Sequence, residues 1–191
     1  MTGDDDCSDT PSSTNQRCSA ADLEDSAALP LPSPTCDASA GAAAASDDAQ
    51  LPRITRALTV RQPWAWAIAS GVKDVENRGW SITTPRGWLA VHAAATPADA
   101  REGARCAQLL AAAGVAAPAE AQLARSAVVA VVYVHDVLPP QQAVASAWAQ
   151  PRCFHWLLRD ARALKTPVPC SGQIQLWELS SKVSAAIDAQ L

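Results

Sequence analysis

From about residue 55 onward, hydrophobic and polar residues fall into short alternating runs broken by Pro and Gly. Ala57–Arg61 reads as a first strand. Pro63 opens a helix over WAWAIAS that Gly71 closes, with Pro at the start and Gly just past the end as helices prefer. Ala65, Ile68 and Ala69 form its apolar stripe, while Trp64 and Trp66, two residues apart, point to nearly opposite sides. One of these two is therefore expected to line a groove or lie under a loop. Val75–Trp80 is a second strand, Thr83–Gly87 a turn and Trp88–Ala94 a third strand. Thr96 caps a helix expected from Pro97 to about Ala113, and a short helix covers Pro118–Arg125. Ala127–Val137 is the clearest strand, with Ala127–Val132 apolar on both faces as in a doubly buried position. Pro139–Ala149 reads as a helical excursion, Phe154–Arg159 and Gln173–Leu179 as two more strands, and Ser181–Leu191 as a short terminal helix. About six short strands with a few short helices make a β-rich α+β domain. A small closed or nearly closed barrel would remove its edge strands.

Composition separates this domain from what precedes it. All seven Trp lie between residues 64 and 177. Residues 1–52 contain none, and are rich in Ser, Ala, Asp and Pro. With so little bulky apolar surface to offset ordering entropy, they are expected to form a disordered acidic tail. The chain thus divides into a tail (1–52), a folded domain (53–182) and a C-terminal extension (183–191). The net charge of −4 averages two unlike parts. The tail carries one basic and ten acidic residues, a balance of −9, and the remainder fourteen basic and nine acidic, a balance of +5. A mildly basic domain behind an acidic tail is compatible with a polyanionic ligand and with a protein-contact role for the tail. The first residues lack the basic start and apolar run of a secretory signal, and no stretch approaches the ~20 apolar residues of a membrane span. An intracellular soluble protein, cytoplasmic or nuclear, is expected. The six Cys include no C-x-x-C pair and no zinc-like spacing with His; Cys153 and His155 share a strand face but have no further ligand pattern. No metal or cofactor is expected.

The densest chemistry lies in Gly71–Arg78, GVKDVENR, where Lys73, Asp74, Glu76 and Arg78 place four charges of both signs within six residues. Strand alternation puts Glu76, Arg78 and Trp80 on one face and Val75, Asn77 and Gly79 on the other. A carboxylate, a guanidinium and an indole on one wall, with the Lys73 ammonium at its entrance, describe a binding cleft. Trp64 and Trp80 are candidates for stacking on a base. Arg86, in the P-R-G turn, could contact phosphate. His92 shares a strand face with Trp88 and Ala90, where a helper role stands beside a plain structural one. Ser171, next to Gly172, offers a turn whose N–H groups suit an anion. Arg159, Arg162 and Lys165 extend the basic character along the later strands.

Three segments together, RQPWAWAIASGVKDVENRGW, RGWLAVHAA and FHWLLRDARALKTPVPCSGQIQLWEL, resemble the ASCH (activating signal cointegrator homology) domain of the PUA-like superfamily. The likeness spans roughly residues 55–180. Gly71, Lys73, Glu76 and Arg78 match its G-x-K-x-x-E-x-R signature. The flanking Q-P-W, the R-G followed by V-H-A, and the terminal G-x-x-x-L-W-E match in order. The resemblance implies a small PUA-like β-barrel with a cleft beside the first helix, lined by Lys73, Glu76 and Arg78. It also implies an RNA-binding or nucleotide-binding module. Some short bacterial relatives hydrolyse the acetyl amide of N4-acetylcytidine with a Thr nucleophile three residues after the motif Lys. Here that position is Glu76, with Ser81 and Thr83 the nearby hydroxyls. The alternative expectation is therefore a small hydrolase acting on a modified nucleoside or on RNA, with Lys73 and Glu76 as its catalytic residues.

Overall fold

A computed structural model describes residues 51–81 and 86–191. The acidic tail up to residue 50 and Thr83 lie outside the described residues. Six strands form one sheet: β1 (Arg56–Val60), β2 (Val75–Arg78), β3 (Gly87–Ala93), β4 (Ala127–Leu138), β5 (Phe154–Pro169) and β6 (Leu176–Glu178). The strand order is β2-β5-β4-β3-β1-β6, and the sheet curls into a half-barrel with β2 and β6 as its edges. All neighbours are antiparallel except β1 and β3, which run parallel with Thr59 opposite His92. Three helices complete the fold: α1 (Trp64–Ala69), α2 (Ala100–Ala112) and α3 (Ser181–Asp188).

The alternation expected from the sequence separates two cores. Leu58, Val60, Leu89, Val91, Val132, Val134, Trp156 and Leu158 fill the concave side together with Ala65 and Ile68 of α1, which plugs the half-barrel. Ala57, Ala90, Val128, Val131, Leu164 and Trp177 face the convex side, where Ile187 of α3 covers them. A third cluster joins Ala67, Val75, Cys106, Leu110 and Trp148 under α2. Trp64 and Trp66 both pack against this third cluster, and Trp64 also reaches the concave core. Their expected separation is thus only partial, because both reach the cluster under α2.

Several elements differ from the sequence expectation. Helix α2 starts at Ala100, not Pro97, because Asp99, and not Thr96, accepts the Glu102 N–H at 2.9 Å. The expected helix at 118–125 contracts to a 3₁₀ turn at Glu120–Gln122. Residues 139–149 form turns and no helix, held to β2 by side chains described below. Strand β5 continues ten residues beyond Arg159, and the final strand contracts to Leu176–Glu178. Pro167 and Pro169 are tolerated because β2 pairs only with residues 154–157 of β5, so that among the described residues no strand pairs with the other side of the distal half.

Candidate functional site

Local geometry delivers the motif to the open seam of the half-barrel. Pro63 gives α1 no side-chain cap, and the buried Gln62 does that work: its Oε1 accepts from Trp66 N at 3.0 Å while its Nε2 donates to Ala124 O at 2.8 Å. Gly71 ends the helix with φ 76°, a conformation that glycine adopts without a Cβ penalty. The chain then doubles back, so that Lys73 N donates to Ala67 O at 2.9 Å. This turn aims the Lys73 side chain inward and not at solvent. Only 3% of it is exposed.

Glu76 occupies the centre of a three-charge cluster. Its Oε2 lies 2.6 Å from Lys73 Nζ and its Oε1 3.0 Å from Arg78 Nη2. Lys73 Nζ also donates to Val75 O, and Arg78 Nη2 to Thr59 O at 3.0 Å. Burial by itself would raise the Glu76 carboxyl. The two adjacent cations and their hydrogen bonds outweigh it, holding the carboxyl below its ordinary value of 4.5. The cluster therefore carries a net charge of +1. Its surface-facing member is Arg78, whose side chain is 21% exposed and whose buried Nε has no hydrogen-bond partner. Because β2 is an edge and Thr59 lies on β1 beside the other edge, the Arg78–Thr59 bond spans the seam of the half-barrel.

Two Trp flank this cluster. Lys73 Nζ lies 6.0 Å from the Trp64 ring centroid, and Trp64 meets Trp148 edge-on at 6.2 Å. On the other side Trp80 meets Trp156 edge-on at 5.0 Å, and Trp156 stands directly opposite Glu76 in the β2–β5 register. The structure thus brings together Lys73, Glu76, Arg78, Trp64 and Trp80. The ammonium expected at the cleft entrance is instead beneath it.

The remaining candidates lie elsewhere. Arg86 precedes β3, exposed and 3.8 Å from Asp136; it is six residues from His92, about 20 Å along an extended chain. His92 is buried on the convex face, where Nε2 donates to Cys170 O at 3.1 Å and the ring meets Trp177 edge-on at 5.6 Å. Burial, only partly opposed by the Cys170 carbonyl, lowers its pKa below the ordinary 6.5 and keeps the ring neutral. Gly172 lies against this ring, so that a Cβ there would come 2.6 Å from His92 Nδ1 and 3.0 Å from Thr59 Oγ1. Ser171 is exposed in the same loop. Thr59 joins the two regions: its carbonyl accepts from Arg78 and its hydroxyl from Trp177 Nε1 at 3.0 Å. Among the described residues, no group of three His, Cys, Asp or Glu is placed to hold a metal ion, and no helix is long and apolar enough to cross a membrane.

A family model for the ASCH domain matches residues 58–178, from β1 to the end of β6. The chain belongs to the ASCH family. ASCH domains are PUA-type modules of RNA-binding character. No curated protein matches the chain. Within this ASCH domain Lys73, Glu76 and Arg78 of the signature form the three-charge cluster, and Asp74 and Asn77 between them have structural partners. Ser146 Oγ donates to Asp74 Oδ1 at 2.5 Å, Asn77 Nδ2 to Trp148 O at 2.8 Å, and Gln150 N to Asn77 Oδ1 at 2.9 Å. These bonds fix the 146–150 segment and hold Trp148 against Trp64. Sequence reasoning missed Gln62, Asn77 and Trp148 as site-building residues. The available signal for Asn77 was an amide side chain on the face of β2 shared with the buried Val75.

Proposed function

We propose that this ASCH domain binds RNA at the seam beside α1, with Arg78 as the ligand-contacting cation and Lys73 and Glu76 as its buried support. The observation that carries this reading is the division of labour within the cluster. Lys73 and Glu76 satisfy each other out of solvent, whereas Arg78 is anchored through Nη2 and is partly exposed. A guanidinium held in this way suits a phosphate or carbonyl oxygen. Trp80 and Trp64 flank it with indole surface on which a base can stack.

The same geometry favours binding over hydrolysis. A carboxylate held ionised by two cations is a poor proton acceptor, and a Lys that is 3% exposed has no room to meet a scissile amide. The test is fluorescence anisotropy of a short single-stranded RNA with the full chain at two salt concentrations. Affinity should fall as salt rises, with Arg78→Ala flattening the slope of log K against log salt by about 0.7, the share of one phosphate contact on a single strand. RNA binding that ignores salt, or an Arg78→Ala variant that binds as wild type, overturns the reading. Acetate release from N4-acetylcytidine that disappears in Lys73→Ala would replace it with the hydrolase.

A further inference from the structure

We propose a second single-stranded nucleic-acid site on the convex face of the sheet, built from Trp88, Tyr133, Arg159 and Arg162. Helix α3 covers one end of that face over Ala57, Val131 and Trp177. Toward Tyr133, among the described residues, Trp88 and Tyr133 are half-buried and Arg159 and Arg162 are exposed. There, three adjacent strands align planar side chains in a row. Trp88 of β3 stands opposite Tyr133 of β4, and Tyr133 opposite Arg159 of β5. The Arg162 guanidinium lies over the Trp88 ring at 5.4 Å, the Trp88 and Tyr133 rings meet at 5.6 Å, and the Arg159 guanidinium lies over Tyr133 at 4.8 Å. Directly opposed residues on paired strands share a face, so all three register partners point the same way.

The chemistry of the row selects its occupant. Bases stack on aromatic rings and on guanidinium planes alike, and such stacking needs bases that are already unpaired. Arg86, Arg159 and Arg162 supply three exposed cations here against Asp136 and Asp160. Arg159 contacts Asp160 at 3.4 Å and Arg86 contacts Asp136 at 3.8 Å, which tempers the field without cancelling it. Row and charge together fit a single strand whose bases lie on the rings and whose phosphates track the arginines. This site shares its ligand class with the seam reading but none of its residues.

The two are separated by measuring anisotropy of a fluorescein-labelled 12-nucleotide oligouridine with the full chain. Arg159→Ala combined with Arg162→Ala should weaken binding about tenfold and flatten the salt slope by about 1.4, twice the single-strand increment. Tyr133→Leu should also weaken it about tenfold through lost stacking, while Tyr133→Phe binds as wild type. The two arginines are solvent-exposed, so their variant should stay folded, its thermal midpoint falling only by the share of two exposed cation–π contacts. If Arg78→Ala weakens binding but these variants do not, the convex site is wrong and the seam stands. If these variants weaken binding but Arg78→Ala does not, the convex site stands and the seam falls. Equal affinity for a blunt RNA duplex overturns the convex site, since a duplex offers no unstacked base. No binding by wild type overturns both.

Discussion

The buried cluster makes an asymmetric prediction about its two innermost members. Glu76 sits between two cations, so replacing it with Gln leaves two buried or half-buried positive charges facing each other. Replacing Lys73 with Met leaves Glu76 paired with Arg78, a net-neutral arrangement with a side chain of similar length filling the space. Unit charges attract by about 6 kcal/mol at the 2.6 Å of Lys73–Glu76 and about 5.5 kcal/mol at the 3.0 Å of Arg78–Glu76, with an effective dielectric of ~20. Desolvating each ion costs several kcal/mol in return, which is why broken buried pairs lose about 3–5 kcal/mol and not the full attraction. Glu76→Gln should therefore cost about 3–5 kcal/mol, and Lys73→Met no more than about 2 kcal/mol. For a folded unit of this size the first corresponds to a fall in midpoint of about 12–20 °C. The assay is thermal or urea unfolding of the full chain followed by Trp fluorescence, which reports the domain because every Trp lies within it. A pH series adds a sign check. The folded Glu76 carboxyl titrates below its ordinary 4.5, so its contribution is present above that value and is lost as pH falls through the folded value. Wild type and Glu76→Gln should thus converge in acid. A Gln variant within 1 kcal/mol of wild type at pH 7, or a Met variant less stable than the Gln variant, would refute the reasoning.

Three further outcomes are expected. Gly172→Ala should destabilise by about 1–3 kcal/mol despite the solvent exposure of residue 172, because its new Cβ meets the His92 ring and Thr59; denaturant titration checks this. Asn77→Ala should cost about 1–2 kcal/mol and increase quenching of Trp fluorescence by acrylamide, since two bonds holding the Trp148 segment disappear. The lowered His92 pKa means that the unfolded chain takes up a proton first. Stability should therefore be complete above pH 6.5 and decline below it by at most about 1.4 kcal/mol per unit, a slope that midpoint measurements should find missing in His92→Gln.

Period-two alternation was strong enough in β2 to place Glu76 and Arg78 on one face and Asn77 on the other, and the structure keeps that assignment. The same logic exposed the two-sided burial of β4. What the sequence left hidden depends on contacts between distant segments. Lys73 follows a helix end and reads as an ammonium at the cleft entrance, yet the turn at Gly71 sends it inward to a carboxylate three residues away. Residues 139–149 have helical composition, but the side chains of Asp74 and Asn77, some seventy positions earlier, offer Ser146, Trp148 and Gln150 better partners than a helix would. The distal half of β5 is polar with two prolines, which reads as loop. Only the absence, among the described residues, of a strand on that side shows why it can pair with β4 and still carry them.

The ASCH signature thus divides into an architectural part and a chemical part. Gly71 turns the chain, Lys73 and Glu76 neutralise each other below the surface, and both tasks would be needed if the protein bound nothing. Arg78 alone carries the arrangement outward. Its hydrogen bond to Thr59 joins the β2 edge to β1, the strand next to the other edge, and Thr59 in turn receives Trp177, which packs edge-on against His92. A ligand drawing Arg78 toward a phosphate therefore competes with the bond that holds the seam. If the proposed seam site holds, ligand affinity and seam rigidity should trade against each other through this one guanidinium. Hydrogen exchange at β1 and β6 would read that coupling: saturating oligouridine should speed exchange of the Thr59 neighbourhood if Arg78 leaves its carbonyl. Slowed or unchanged exchange would refute that coupling.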